Sequence, residues 1–165
     1  MYVFDQSGEA WSETARLRPR HPTNGQDFGR SVSVGADLVA VGAPGERSRA
    51  SGVNGDEANI PESAYMVGAD ARTGADPTDD SAQTSGAMYV FLRDGDSFAE
   101  PAYVKPSNAD LAPPYGYSDM FGSSVAVSGD TIVAASPMED SQATGVNGDQ
   151  ANDGAIESGA VYVFR

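Results

Sequence analysis

The sequence predicts an all-β fold: β-propeller blades of four antiparallel strands, in a partial array of about two blades plus edge strands. Three observations carry that expectation. The same words recur in the same order, with Tyr-Val-Phe at 2–4, 89–91 and 162–164, Phe-Gly at 28–29 and 121–122, and Gly-Val-Asn-Gly-Asp at 52–56 and 145–149. Short apolar runs alternate with turn residues, and 19 glycines and 10 prolines punctuate the 165 residues, a composition of many strands and turns. No segment offers a capped apolar stripe of helical period. A sheet too small to bury its own face must lean on a copy of itself, which is how repeat folds gain a core. A sandwich also uses short strands, but it does not repeat words at fixed places.

The elements follow in order. Tyr2-Val3-Phe4 reads as strand three of one blade and Trp11–Arg18 as its fourth, joined through Gln6-Ser7-Gly8. A full blade then spans 28–105. Its first strand is Ser31-Val32-Ser33-Val34, alternating small polar with apolar residues. After the turn at Gly35-Ala36-Asp37 comes Leu38–Ala43, a continuous apolar run rich in β-branched residues and closed by Pro44, which reads as a buried strand. Ala87–Leu92 is the third strand and Phe98–Lys105 the fourth, across a turn at Asp94-Gly95-Asp96. A partial blade over 121–165 repeats the first three strands as Ser124–Val127, Thr131–Ser136 and Ala160–Phe164. Residues 28–44 and 121–137 share seven identities in 17, and residues 51–59 and 144–152 share seven in nine. The register places a small insertion near Ala112–Tyr117 and a long surface loop at 63–84, rich in Ala, Asp, Thr and Gly. The chain is thus one repeat array, 1–165, with 1–20 forming the end of a blade. Little more than two blades leaves flat apolar faces at both ends, so the expected neighbours are further blades in the same parent chain, or copies that self-associate.

Composition narrows the function. The chain carries 24 acidic and 10 basic side chains, a formal charge of −14, and Lys105 is its single lysine. Such a field repels phosphate backbones and anionic lipid heads, which argues against nucleic-acid binding. No apolar run is long enough to cross a bilayer, so membrane insertion is not expected. With no cysteine and one histidine, His21, thiolate zinc sites, disulfides and multi-histidine metal centres are excluded. Serine, His21 and an aspartate do not make a triad without a nucleophile elbow ahead of a helix. Asp79-Asp80 stands in the least structured stretch, away from the rigid framework a glycosidase pair needs. The catalytic expectation is therefore none.

Phe28-Gly29 followed by Gly42-Ala43-Pro44 resembles the FG-GAP repeat of integrin α-subunit β-propellers and of secreted bacterial proteins. Phe121-Gly122 with Ala135-Ser136-Pro137 is similar, with a softened tripeptide. The resemblance implies an extracellular or cell-surface blade array that binds a protein or glycan ligand at one loop rim. It also implies calcium in some blades, held by a loop between the first two strands. Here those connections are three-residue turns, Gly35–Asp37 and Ser128–Asp130, too short to wrap an ion that takes six to eight oxygens.

A partial echo of a calcium loop lies elsewhere, in Asn54, Asp56 and Asn59 and again in Asn147, Asp149 and Asn152. Gly52 and Gly145 stand where a first carboxylate belongs, so the competing reading is an Asn-Gly turn. Glu46 and Glu139-Asp140 could add charge to such a site, or be solvated acids. Trp11 and the tyrosines of Tyr-Val-Phe are expected in the core between blades rather than on a sugar-stacking surface. Phe28 and Phe121 are expected to wedge between sheets, with Gly29 and Gly122 letting backbones approach. Two rivals to a binding module stay open: the propeller portion of a secreted polysaccharide- or lipid-degrading enzyme, and a structural surface spacer.

Overall fold

The computed structural model describes residues 1–20, 22–47, 52–54, 84–99, 101–106, 108 and 119–165. The long loop at 63–84, but for Thr84, and the insertion at Ala112–Tyr117 lie outside the described residues, as does His21. Among the described residues there are eleven strands: β1 Tyr2–Ser7, β2 Ala10–Arg16, β3 Ser31–Val34, β4 Leu38–Ala43, β5 Gly52–Asn54, β6 Ala87–Asp94, β7 Ser97–Phe98, β8 Ala102–Lys105, β9 Ser124–Ser128, β10 Thr131–Ser136 and β11 Ala160–Phe164. Among the described residues there is no helix.

These strands make three antiparallel sheets: the hairpin β1-β2, a central sheet ordered β3-β4-β6-β8-β5 with β7 also on β6, and the sheet β9-β10-β11. Within the central blade β3, β4, β6 and β8 meander outward in chain order, and β5 lies at the far edge beyond β8. The third sheet keeps the same first three places, and the hairpin keeps the last two. Register supports the correspondence, because Tyr2 faces Arg16 as Tyr89 faces Tyr103 in the third-to-fourth strand ladder.

Alternation along the central strands explains why the sheets stack. Val39, Val41 and Ala43 of β4 and Tyr89 and Phe91 of β6 point to one face, where they join Leu17 and the partly buried Met1, Val3 and Ala15 of the hairpin unit. Ala40 and Met88 point to the other face and join Val125, Ile132, Ala134, Tyr162 and Phe164 of the third sheet. Period-two strands give a sheet two faces, and both apolar faces of the central sheet are covered by a neighbouring copy.

The Phe-Gly words sit at matching places. Phe28 meets Tyr89 and Phe91 edge-on, with ring centroids 5.3 and 6.2 Å apart. Phe121 meets Tyr162 and Phe164 at the same two separations. The amide of Gly29 donates to the carbonyl of Gly42, and that of Gly122 to Ala135, both at 3.0 Å. Gly122 takes φ +83°, and a Cβ there would strike the carbonyl oxygen of Ala87; one on Gly42 would overlap the carbonyl oxygen of Gly122. The blades approach too closely there for any side chain.

Three details differ from the sequence expectation. The fourth strand is split into β7 and β8, with Pro101 between them. Proline cannot donate to a ladder, and the proline-free β2 runs unbroken. Gly52–Asn54, expected as part of a turn or ion loop, is instead a strand at the outer edge of the central sheet, paired with β8. Trp11, expected in the core, is 65% exposed, as the outer face of the hairpin has no sheet against it among the described residues. Tyr2 and Phe4 share that open face, whereas Tyr89 and Tyr162 are buried.

Candidate functional site

The strand order divides the connections into two ends. Turns joining first to second and third to fourth strands are tight: 8–9, 35–37, 95–96 and 129–130. Links from second to third strand, and from one blade to the next, are long: 17–30, 44–51 and 55–86, 106–123, and 137–159. In an antiparallel meander all the long links emerge at one end. That end is the candidate site, a rim of long loops on a rigid base.

Buried polar side chains fasten the base of the rim. Glu46 follows the Gly-Ala-Pro corner at the end of β4 and is 1% exposed. Lys105, at the end of β8, donates from Nζ to Glu46 Oε2 at 2.7 Å and to the Ser85 hydroxyl. Beside them Gln26 Nε2 donates to the Tyr89 hydroxyl at 2.7 Å. Burial first, then the nearby Glu46 carboxylate, pushes the Tyr89 phenol well above its ordinary pKa. The pair ties the fourth strand to the second across the end of the sheet. Each buried ion is the other's counter-charge, so removing one would leave the other buried and uncompensated.

In the third sheet Glu139 occupies the place of Glu46, two residues beyond the corresponding proline, and is 2% exposed. Its Oε1 accepts from Asn108 Nδ2 and its Oε2 from the Ser141 hydroxyl, each at 3.0 Å. Its carbonyl accepts the amide of Gly159, which leads into β11. Both glutamates are therefore structural anchors rather than solvated acids or spare calcium ligands. Their matched positions behind a proline were the sequence signal, as was a sole lysine at the end of a buried strand.

The candidate calcium residues fall in two loops. Asp56 and Asn59 lie outside the described residues, and Asn54 ends β5. In the second loop Asn147 adopts φ 56°, the left-handed backbone an asparagine tolerates. Asp149 Oδ1 accepts the amide of Ala151 at 3.0 Å, and Asn152 Oδ1 accepts those of Gln142 and Gly154. The arrangement offers one carboxylate and two amides, and two of those three groups already hold the loop's own N–H donors. Among the described residues no three Asp, Glu or His side chains gather. Calcium takes six to eight oxygens with several carboxylates, and this donor set does not fit it.

A family model for the FG-GAP repeat matches residues 11–58 and 112–164, more than half of the chain. No curated protein and no solved structure matches the chain.

Proposed function

The chain belongs to the FG-GAP repeat family, and from that premise we propose that it is a non-catalytic binding and adhesion module working outside the cell or at its surface. Its ligand, a protein or a glycan, meets the rim of long loops. The observation that carries this reading is the separation of connections by length, with tight turns at one end of every sheet and long links at the other. Binding surfaces of repeat and sheet proteins concentrate on loops held by a rigid scaffold. The innermost strands, Ser31–Val34 and Ser124–Ser128, carry serine, valine and alanine only, so the axis side offers little acid–base chemistry. Glu46, Lys105 and Tyr89, which could serve a reaction if exposed, are instead buried in the framework.

The test is an array of glycans and extracellular-matrix proteins probed with the whole chain and with a variant lacking residues 63–84. The proposal expects binding that the deletion abolishes while the folded sheets persist by circular dichroism. Binding untouched by the deletion, or turnover of an arrayed polysaccharide, would contradict it.

A further inference from the structure

We propose that the exposed arginines of the loops 17–30 and 44–47 form a site for an acidic polysaccharide, a chain of uronate or sulfated sugars. The inference rests on the reading of the rim as a binding surface and names the ligand class it takes. Charge is spread unevenly along the chain. Six of the ten cations, Arg16, Arg18, Arg20, Arg30, Arg47 and Arg49, fall within residues 16–49, where the acids are Asp27, Asp37 and Glu46. Residues 106–164 carry no cation at all. Glu46 is buried and paired with Lys105, and Asp37 lies in a tight turn at the opposite end of the sheet. The rim over the central blade is therefore locally positive, on a molecule whose formal charge is −14.

The two loops are held against each other. The Gly29 amide donates to the Gly42 carbonyl at 3.0 Å, and a Cβ on Gly45 would overlap the carbonyl oxygen of Gly25. One guanidinium nitrogen of Arg47 lies 3.5 Å from where a Cβ on Gly25 would stand, so a side chain of the second loop lies over the first. Arg18, Arg20, Arg30 and Arg47 are all exposed. Arg20 donates to the Pro101 carbonyl. Among the described residues no acid pairs with Arg18, Arg30 or Arg47. The Thr23 hydroxyl, on the first loop, is buried with no hydrogen-bond partner among the described residues, a polar atom the framework leaves unsatisfied.

The third sheet shows that the framework does not need these cations. Phe121-Gly122-Ser123 repeats Phe28-Gly29-Arg30, and Glu139-Asp140 repeats Glu46-Arg47. The turns match: the Ser123 amide donates to the Met120 carbonyl as that of Arg30 does to Asp27, and the Glu139 amide to Ser136 as that of Glu46 does to Ala43. Serine and aspartate thus build the same backbone. Asp140 also works within its own loop, its carboxylate accepting the Glu157 amide. What Arg30 and Arg47 add is charge turned to solvent.

The chemistry of the guanidinium specifies the ligand. It is a planar fork that grips the oxygens of a carboxylate or sulfate in pairs. A single exposed ion pair contributes little, so a small anion is held poorly, whereas a polymer that repeats its charge engages several arginines at once. Nucleic acid is a denser polyanion, with one charge per about 1.7 Å of duplex, and the acidic remainder of the molecule repels it more strongly.

The probes are polygalacturonate, dextran sulfate and neutral dextran, titrated into the intact chain at physiological salt beside a poly-deoxythymidine strand. At least one of the two acidic polysaccharides should bind and neutral dextran should not; the tighter of the two tells uronate from sulfate. Arg30→Ser combined with Arg47→Ser should weaken binding at least about tenfold. The control of equal charge, Arg93→Gln with Arg165→Gln, removes two arginines at the tight-turn end and should change it less than about twofold. Circular dichroism checks that both variants fold, and serine at position 30 is what the third sheet already carries. Equal losses in the two double variants would reduce the effect to net charge and overturn the proposal. So would tighter binding of the thymidine strand. If neither polyanion binds while a neutral glycan or a protein still binds in a manner lost on deleting 63–84, this inference fails and the rim reading stands.

Discussion

Residue positions in this chain divide into those that shape the interfaces between sheets and those that fasten strand ends. Phe121 is fully buried, and its ring meets two aromatic neighbours edge-on, at 5.3 and 6.2 Å. Truncating it leaves a cavity between two sheets, so Phe121→Ala should cost about 3–5 kcal/mol in urea unfolding. Phe4, half exposed on the open hairpin face, should cost only about 0.5 kcal/mol when changed to alanine. The Glu46–Lys105 pair gives a sharper test. Lys105→Met strands a buried carboxylate and should cost about 3–5 kcal/mol, whereas adding Glu46→Leu should restore most of it. A double variant as unstable as the single one would show that the pair is not what fastens β8. The aromatic words were legible in the sequence as repeats. The ion pair was not, since its partners lie 59 residues apart and only folding brings the two strand ends together.

At the scale of elements, β3, β4 and β10 lie where alternation and proline stops placed them. β6 and β9 begin at their expected first residues and run on a little further. The misses have physical causes. A proline split the fourth strand, and a neighbouring edge drew Gly52–Asn54 into a sheet. Sequence motifs describe a segment's own preferences, while strand formation depends on what lies beside it. The loop at 142–154 shows the same limit from the other side. Its Asn-Gly-Asp words suggest an ion loop, yet Asp149 and Asn152 spend their oxygens on local amides. Calorimetric titration with millimolar calcium, the range of weak extracellular sites, should therefore give no heat that depends on Asp149. A binding isotherm lost in Asp149→Ala would show that the loop rearranges around the ion.

For the molecule as a whole, the account rests on one arrangement: sheets of like design stacked face to face, with both apolar faces of the central sheet covered by its neighbours. Repetition of Phe-Gly, Tyr-Val-Phe and Gly-Val-Asn announced that order from the sequence, because copies of one unit bury like faces against like. The rim that should bind a ligand was legible only as loop length, because a loop's composition does not reveal what it touches. The central blade and the third sheet touch through named atoms. Ser33 Oγ accepts the amide of Val127 at 2.9 Å, the Ser31 hydroxyl donates to the Gly122 carbonyl at 2.7 Å, and Gly42 lies against Gly122. A nuclear Overhauser spectrum of the labelled chain reads these contacts directly. The stacked arrangement predicts cross-peaks between the α-protons of Gly42 and Gly122 and between Ser33 and the Val127 amide. Their absence from a folded sample, with Gly42 close instead to Leu17 or Ala15 of the hairpin unit, would contradict it.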